Sequence, residues 1–405
     1  MDIIYVFTSA GITDGSVQNK VINQIRGLRQ AGMSCRGLFF TTDNITASDN
    51  TDDFSFIRIP DVKQGYFRSL RQRNACHKAV LGYFTKEQPG FDLIYFRYDH
   101  AGRFLNRLSN MYRKRICFEH VTAETEEIRL YKKENPLRLN LSSFLGNLEF
   151  MWLPLLQETL WAKGIRRKAA FGICNSEDIA RHETKIAGGD YLTFIGGDAV
   201  RVEDYKLRTS APVLENEFRM VFLKGASTAA DFNGLDRIFE GIRNYRGKFR
   251  LKAYIFGKNL VYEKNMVKKA GVEDQVIFGN YISKDDAETF MEDIHLGISA
   301  MGLHRKGIKG TTTIKAREYF ARGIPFIYGH NDPDLSGSPE AMKYCMEFPA
   351  NDEPVDFEKV MEWYIQLNSS NTYFSDMREF AKNYLDYSIK MGRLAAFIKK
   401  HQAHA

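Results

Sequence analysis

Cysteine is scarce in this sequence, and its arrangement suggests neither a metal site nor a disulfide framework. The 405 residues include five cysteines, which are scattered along the chain and odd in number. No Cys-x-x-Cys pair and no cysteine–histidine ligand spacing occurs among them. Reduced thiols in or near apolar segments are therefore expected, as is usual for proteins of a reducing compartment.

The sequence also lacks a long hydrophobic run. The nearest approach, Phe144 to Trp161, is interrupted by Glu149, Pro154 and Glu158, whereas a membrane-spanning helix needs about 20 predominantly apolar residues. The first apolar stretch, at residues 3–7, follows an acidic residue, and a secretory signal peptide would instead begin with basic residues. The sequence thus predicts a cytoplasmic protein without a membrane span.

Internal repeats, low-complexity tracts and the Gly-x-Gly-x-x-Gly fingerprint of dinucleotide-binding proteins are absent as well. With 44% hydrophobic and 26% charged residues, the composition is that of a globular protein. The net charge of +7 comes partly from basic clusters at 113–115, 166–168 and 305–306. Because no recognition motif accompanies them, nucleic acid is not an expected partner. The charge is compatible with peripheral contact with the inner surface of a membrane.

What the sequence does contain is a regular alternation of short apolar runs with helical patterns, which indicates βαβ units and a parallel sheet. In the first half, residues 3–8 are predicted to form a strand. A helix follows, with apolar residues at helical spacing: Val17, Val21, Ile25 and Leu28. Further strands of this half are predicted at 37–41, 56–59, 92–97, 115–119, 171–174 and 191–195.

The same alternation restarts in the second half. Strands are predicted at 220–223, 251–256, 276–278, 296–299 and 325–328, and helices at 235–245, 261–270, 285–292 and 313–322. The length suits two domains, so we expect two Rossmann-like α/β domains that face each other across a cleft, at residues 1–198 and 218–375. The polar stretch 199–217 is the predicted linker. The tail 376–405 is predicted to be helical and to pack across the domain boundary.

The most informative segment runs from Gly307 to Pro325 and reads GIKGTTTIKAREYFARGIP. It follows a predicted strand and opens a helix, whose first N–H groups and positive dipole end suit a phosphate. Threonine hydroxyls and lysine charges add to this site, and a glutamate one turn further suits a ribose diol. The candidate binding residues are Lys309, Thr311, Thr312, Thr313, Lys315 and Glu318. The alternative is an ordinary capped helix with a solvated basic face.

Part of this segment, Lys315-Ala-Arg-Glu318-Tyr-Phe-Ala-Arg-Gly323-Ile-Pro325, resembles the K-x-x-E-x-x-A-x-G-x-P pattern of glycosyltransferase family 4 and related GT-B enzymes. The resemblance implies that the helix start contacts the diphosphate of a nucleotide-sugar and that Glu318 contacts its ribose. Glu318 corresponds to the second glutamate of the E-x7-E pattern of that family. Gly310 stands at the first position, where the family has an acidic residue that touches the donor sugar.

Other segments resemble the same family in the same order along the chain. The strand and turn that end at Lys224 and Gly225 resemble its diphosphate-binding element, which implies Lys224 as a further diphosphate ligand. Gly15 and Ser16 begin a segment similar to the G-G-V-x-x-x-V turn, which lies near the donor phosphates or the acceptor. His120 follows a predicted strand and corresponds to a histidine that faces the reacting centre, so it is the implied catalytic residue.

The resemblance implies a GT-B glycosyltransferase of the hexosyltransferase type that retains anomeric configuration and needs no metal. It would use no cofactor, with a nucleoside-diphosphate-sugar as the donor substrate and a sugar, glycan or lipid-linked acceptor. Electrostatic stabilisation of the diphosphate leaving group is expected to be the largest catalytic contribution. Assembly of capsule or another polysaccharide or glycan is the implied setting.

Two alternatives share the expected fold. A GT-B sugar-nucleotide epimerase would need no external acceptor, and a nucleotide- or glycan-binding protein without turnover would be consistent with Gly310. The sequence Asp332-Pro-Asp334 matches the Asp-x-Asp motif that holds a metal ion in GT-A enzymes. Since it follows a late predicted strand within Gly-His-Asn-Asp-Pro-Asp, we interpret it as a turn.

Overall fold

The computed structural model describes residues 1–8, 15–44, 51, 53–62, 65, 67–126, 128–129, 141–224, 231–280, 282, 284–370 and 372–402. Within these ranges, the side chains of 15–16, 141–143, 231 and 284–285 are not described. The chain forms two compact units. The first consists of Met1–Gly196 together with Lys390–Ala405, and the second consists of Gly197–Ile389.

The first unit is built on a seven-stranded sheet in the order β3-β2-β1-β4-β5-β6-β7. Neighbouring strands pair in parallel throughout. The strands are β1 (Asp2–Thr8), β2 (Ser34–Thr41), β3 (Phe54–Arg58), β4 (Leu93–Arg97), β5 (Ile116–His120), β6 (Gly172–Cys174) and β7 (Thr193–Ile195). Every residue of β5 is buried, as expected for a parallel sheet covered by helices on both faces.

The helices of the first unit include one long helix with two wide turns. The regular helices are α1 (Gly15–Gln30), α2 (Arg68–Glu87), α3 (Arg103–Met111) and α5 (Glu177–Ala187). The long helix, α4, spans residues 141–168 without a break in its helical backbone angles. It consists of α-helical parts at Leu141–Asn147, Leu153–Gln157 and Lys163–Lys168, joined by π turns at Leu148–Trp152 and Glu158–Ala162.

The second unit is built on a six-stranded sheet in the order β10-β9-β8-β11-β12-β13, again with parallel pairing. The strands are β8 (Glu217–Leu223), β9 (Arg250–Phe256), β10 (Val276–Gly279), β11 (Leu296–Ile298), β12 (Phe326–Tyr328) and β13 (Cys345–Glu347). Gly234 has a φ of 65°, and a Cβ atom there would lie 2.5 Å from the backbone of Met301. This close approach requires glycine.

Helices cover both faces of the second sheet. They are α6 (Leu235–Asn244), α7 (Val261–Ala270), α8 (Lys284–Met291), α9 (Ile314–Arg322), α10 (Phe357–Asn368) and α11 (Tyr373–Phe380). A π turn, Ala381–Leu385, continues α11, and short 3₁₀ turns lie at Val202–Asp204, Asp231–Asn233, Leu303–Lys306 and Ala341–Lys343. The core on one face is rich in phenylalanine, with Phe218, Phe222, Phe239 and Phe357 fully buried.

The last helix, α12 (Tyr387–Gln402), returns the chain to the first unit. There, the ring of Phe397 lies 5.2 Å from that of Phe171 and 5.1 Å from that of Phe194. The predicted continuous helical tail is wrong at Asp386, which has extended backbone angles between α11 with its π turn and α12. Asp386 instead forms a bridge with Val200 and accepts a hydrogen bond from the Val202 N–H at 3.0 Å.

The structure confirms the predicted fold class, with two α/β units that each contain a parallel sheet. Each strand predicted from an apolar run is present within a few residues of its predicted bounds. The five cysteines lie in the described part of the chain, where each is buried and carries a free thiol. Among the described residues, no helix combines the length and the apolar character needed to cross a bilayer.

Candidate functional site

The sheet of the second unit has a point at which the winding of the chain reverses. Strands β9 and β10 lie on one side of β8, whereas β11, β12 and β13 lie on its other side. Ligands of open parallel sheets bind at such a switch point, outside the carboxyl ends of the two central strands. Lys224 follows β8 and Ser299 follows β11. The switch point therefore marks where a ligand site of this unit is expected.

Helix α9 begins beside this switch point, and the residue before it does not cap its first turn. Thr313 has extended backbone angles of φ −132° and ψ 136°, and its hydroxyl lies 2.9 Å from the Ser299 hydroxyl. The structure describes all side chains from 286 to 370, and among these residues the Thr313 side chain makes no hydrogen bond to the first turn of α9. The first backbone N–H groups and the positive end of the helix dipole thus suit an anion.

Lys315 lies in the first turn of α9, and its ammonium group contacts an aromatic ring of β8. Its Nζ atom lies 4.9 Å from the centroid of the Phe222 ring, which is an attractive cation–π distance. Burial lowers the pKa of Lys315, and the Glu318 carboxylate opposes this shift. The ammonium group has lost part of its hydration shell, so a diphosphate that binds it displaces little further water.

Lys224 is held by an acidic partner in the second unit. Its Nζ atom lies 2.7 Å from Oε1 of Glu263 on α7 and donates to the Asn259 carbonyl oxygen at 3.0 Å. The side chains of Lys224 and Glu263 are both almost fully buried. The structure therefore places Lys224 at the end of β8, as predicted, but with its charge balanced by Glu263. To bind a diphosphate, it has to share or exchange that partner.

Glu318 lies on the second turn of α9 and is positioned by two side chains. The Tyr205 hydroxyl donates to its Oε1 atom at 3.0 Å, and the Arg322 guanidinium lies 3.4 Å from its Oε2 atom. The Glu318 side chain is 21% exposed. Each carboxylate oxygen has two lone pairs, so this partly exposed carboxylate retains capacity for ribose hydroxyls.

The remaining predicted residues, Lys309, Thr311 and Thr312, lie in the loop before α9 and differ in their exposure to solvent. The Thr312 hydroxyl donates to Asp198 Oδ2 at 3.2 Å and accepts from the Asp198 N–H at 2.7 Å, so this hydroxyl ties the loop to the start of the second unit. The Thr311 N–H and the Lys309 carbonyl oxygen pair with the Asn331 backbone at 3.0 and 2.9 Å. Thr311 is buried, whereas Lys309 is exposed.

The Asp-x-Asp sequence forms a turn, as predicted from the sequence. The Asp334 N–H donates to Asp332 Oδ1 at 3.1 Å. Both carboxylates also contact the fully buried guanidinium of Arg317, which donates to Asp332 Oδ1 at 2.8 Å. These contacts balance the buried Arg317 charge and attach the turn to α9.

In the first unit, the switch point lies between β1 and β4, whose carboxyl ends lead to Thr8 and Asp99. The Thr8 hydroxyl lies 3.5 Å from Asp99 Oδ2. The predicted Gly15 and Ser16 begin α1, which follows β1. The loop 9–14 and the Ser16 side chain lie outside the described residues. The structure therefore places the start of α1 after the strand, as predicted, and does not describe contacts of the Ser16 hydroxyl.

Asp99 lies between two histidines at this switch point. Its Oδ1 atom is 2.8 Å from His77 Nε2 and 3.2 Å from His100 Nδ1, and the two imidazole rings stack with centroids 4.6 Å apart. Although burial opposes ionisation, the two histidines hold the pKa of Asp99 well below its usual value. The Asp99 side chain is 30% exposed, so its carboxylate is suited to accept a hydrogen bond from a substrate hydroxyl.

His120 ends β5 and is completely enclosed by other side chains. Its Nδ1 atom lies 3.3 Å from Glu124 Oε1 and 3.3 Å from Glu183 Oε2. Its ring centroid is 4.8 Å from that of Tyr98. Burial lowers the pKa of His120 to about 4, against the opposing effect of Glu183, so the imidazole is neutral at pH 7. Its assignment as the catalytic residue stays a prediction.

Two groups of side chains in the described part of the first unit have a ligand arrangement that a metal ion can use. One consists of His120, Glu124 and Glu183, but Arg166 contacts Glu183 directly and lies 3.8 Å from Glu124. The guanidinium already supplies the positive charge there, which disfavours a metal ion. The other group consists of His77, Asp99 and His100.

Several residues that shape the candidate site were not among those predicted from the sequence. They are Ser299, which binds Thr313; Glu263, which binds Lys224; Tyr205, which binds Glu318; and Asp198, which binds Thr312. Ser299 closes a predicted strand, and its position would follow from the strand order. The other three come from distant parts of the chain and carry no local signal.

Comparison with known proteins gives matches at the level of structure. No protein-family profile matches the chain, and no curated protein matches its sequence. Among solved structures, the chain is similar to sucrose-phosphate synthase from Thermosynechococcus elongatus, with a TM-score of 0.67 and 11% identity over 100% of both chains.

Two further similar structures cover 98% of this chain and 99% of their own. One is HepE from Anabaena in complex with UDP and glucose, with a TM-score of 0.62 and 14% identity. The other is WaaG, a glycosyltransferase involved in lipopolysaccharide biosynthesis, with a TM-score of 0.62 and 13% identity. At these identities the likeness shows the fold, which is the GT-B fold of glycosyltransferases.

Proposed function

We propose that this chain is a glycosyltransferase that moves a sugar from a nucleoside-diphosphate-sugar to an acceptor hydroxyl. The observation that carries the proposal is the uncapped start of α9 at the switch point of the second unit, with Lys315 in its first turn. Such a site suits a diphosphate. The fold shared with sucrose-phosphate synthase and WaaG supports the same function.

The donor is proposed to bind along α9. Its diphosphate lies at the helix start, near Lys315 and the Thr311–Thr313 backbone, and its ribose binds Glu318. Lys224 joins the diphosphate when Glu263 gives up part of its contact. A uridine nucleotide is the first donor to test, because HepE was solved in complexes with UDP, glucose and UDP-glucose.

Bond cleavage between the sugar and the diphosphate leaves negative charge on the diphosphate and positive charge on the sugar ring. The α9 dipole and the poorly hydrated ammonium of Lys315 stabilise that diphosphate, and such preorganised charges supply a large part of catalysis. We propose that these groups act without a divalent ion and that a hexosyl group is transferred with retention of configuration. Activity that persists after chelation with EDTA would support catalysis without a divalent ion.

In the first unit, His120 is the proposed residue of the reacting centre. The acceptor is proposed to be a sugar, glycan or lipid-linked compound. The proposed setting is the cytoplasm, in the assembly of capsule or another polysaccharide. Incubation with UDP-glucose alone distinguishes transfer from the epimerase alternative, because only an epimerase forms an epimeric sugar nucleotide without an acceptor.

Calorimetric titrations with UDP and with inorganic pyrophosphate test the two roles on α9 separately. Lys315→Gln should weaken the binding of both ligands by about tenfold, because it removes a charged contact to phosphate oxygens. Glu318→Gln should weaken the binding of UDP by about tenfold and leave the binding of pyrophosphate unchanged, because pyrophosphate has no ribose.

Two variants on α10, in the same unit, serve as matched controls. Lys359→Gln and Glu362→Gln change exposed side chains with the same loss of charge, and both should bind UDP like the unmodified protein. If UDP, GDP, ADP and dTDP all fail to bind, or if Lys315→Gln and Glu318→Gln bind them normally, the proposed nucleotide site is wrong.

A further inference from the structure

The outward face of α4 in the first unit is apolar over most of its length. The exposed fractions are 53% for Phe144, 55% for Trp152, 52% for Leu156 and 62% for Leu160. Single exposed hydrophobic residues are common on protein surfaces, whereas a contiguous set indicates an interaction site. We call these four residues the apolar row.

The two π turns of α4 keep this row straight. Its members lie at multiples of four residues, and in a regular α-helix such positions rotate by about 40° per step around the axis. A π turn takes up more residues than an α turn, which offsets this rotation. The π turns Leu148–Trp152 and Glu158–Ala162 lie within the row. The row therefore faces one direction instead of winding around the helix.

The charged residues of this part of α4 point inward. The sequence from 141 to 162 contains two charged residues, Glu149 and Glu158. Glu149 accepts hydrogen bonds from the Phe67 and Ser69 N–H groups at 3.0 and 2.8 Å. Glu158 is buried and accepts from the Tyr98 hydroxyl at 3.0 Å. Charge on the inner face and apolar residues on the outer face reverse the usual pattern of a surface helix.

Basic residues border the apolar row at one end. Helix α3 lies beside the end of α4, where Lys168 Nζ donates to Asn106 Oδ1 at 2.7 Å. Four basic side chains are exposed on these two helix segments: Arg103, Arg107, Lys163 and Arg167. An uncharged row of aromatic and leucine residues next to several cations is the composition of helices that lie in the interface of an anionic membrane.

We propose that the apolar row and its basic border form a docking surface for an anionic lipid bilayer. The row enters the boundary between headgroups and acyl chains, with the Trp152 indole at headgroup level, and the basic residues pair with lipid phosphates. This surface lies within the first unit and makes no use of the nucleotide site. The proposed docking surface stands independently of the proposed function.

Sedimentation of the full chain with vesicles tests the proposal. The protein should bind vesicles that contain phosphatidylglycerol more tightly than vesicles of phosphatidylcholine alone, and high salt should reduce the difference. The double variant Leu156→Glu and Leu160→Glu should bind at least about tenfold more weakly, because it places charges in the apolar row. Both side chains are more than half exposed, so the fold should tolerate the change.

The matched control is the double variant Val213→Glu and Val261→Glu in the second unit. These side chains are 76% and 71% exposed, and their replacement should leave vesicle binding unchanged. The triple variant Arg103→Gln, Arg107→Gln and Lys163→Gln should lose the preference for phosphatidylglycerol.

Tryptophan fluorescence gives a second readout of the apolar row. A blue shift of tryptophan emission should accompany vesicle binding, and Trp152→Phe should reduce the shift while vesicles still bind. The proposal is overturned if the protein does not bind anionic vesicles, or if the Leu156 and Leu160 variant binds them normally. It is equally overturned if the row mediates self-association without vesicle binding, which analytical ultracentrifugation would show.

Discussion

The hydroxyl groups of Ser299 and Thr313 lie 2.9 Å apart and join the end of β11 to the start of α9. Threonine before a helix usually accepts a hydrogen bond from the first turn. Here its hydroxyl contacts the Ser299 hydroxyl, directly after β11, instead. The arrangement fixes the position of the helix start relative to the switch point while leaving its dipole to a ligand.

Replacement of Thr313 by aspartate should therefore separate stability from binding. The aspartate side chain can cap α9, and its negative charge interacts favourably with the helix dipole, so the melting temperature should stay the same or rise slightly. The same charge repels a diphosphate, and UDP binding should weaken at least tenfold, on the order of 1.4 kcal/mol or more.

Thr313→Ser is the control for this variant, because serine retains the hydroxyl that binds Ser299. It should bind UDP like the unmodified protein. Thermal melting and calorimetry give the two readouts. Unchanged UDP binding by Thr313→Asp would show that the diphosphate does not lie at the start of α9.

The ion pair between Arg317 and Asp332 should be necessary for the stability of the second unit. Arg317→Leu leaves the buried Asp332 carboxylate without its cation, a change that typically costs about 3–5 kcal/mol. Urea unfolding measures the loss. The matched control is Arg243→Leu, which breaks an exposed pair with Glu240 and should cost less than about 1 kcal/mol. Similar losses in the two variants would contradict the argument.

His295 should make the second unit sensitive to mild acid. Burial lowers its pKa to about 4, and its Nδ1 atom accepts a hydrogen bond from the Arg219 N–H at 3.0 Å, which requires the neutral ring. In the unfolded chain, histidine binds a proton near pH 6.5. The unfolded state therefore gains protons as the pH falls from about 6.5 towards 4, and stability decreases over that range.

Between pH 7 and pH 5, His295 alone should contribute a loss of about 2 kcal/mol. His295→Gln removes the titrating group, so its stability, although lower at pH 7, should fall less over the same interval. Urea unfolding at both pH values gives the comparison. Equal decreases in the two proteins would show that His295 does not carry this dependence.

Most strands of both sheets were predictable because buried parallel strands are short, continuous apolar runs. β12 (Phe326–Tyr328) is fully buried and follows Pro325 directly, so its limits are legible in the sequence. β13 was missed, because of its three residues only Cys345 is buried. The break at Asp386 was also missed, since its cause is Val200, which lies far away in the sequence.

The same distinction applies to the candidate site. The start of α9 is a local feature, and the glycine- and threonine-rich segment before it made it predictable from the sequence. The pairing of Lys224 with Glu263 depends on how α7 packs beside β8, which no local pattern encodes. The sequence suggested six ligand residues before α9 and within it. It did not indicate that the hydroxyl of one of them, Thr312, binds Asp198, because Asp198 lies far away in the sequence.

The position of Phe397 beside Phe171 and Phe194 has a consequence for synthesis of the chain on the ribosome. The first unit receives part of its packing from residues that are translated after the whole of the second unit. Until α12 emerges, Phe171 and Phe194 lack the Phe397 ring as a packing partner, although most of the unit has already been made. Domains generally fold as units in the order of their synthesis. Here the unit that is begun first is also the last to be completed.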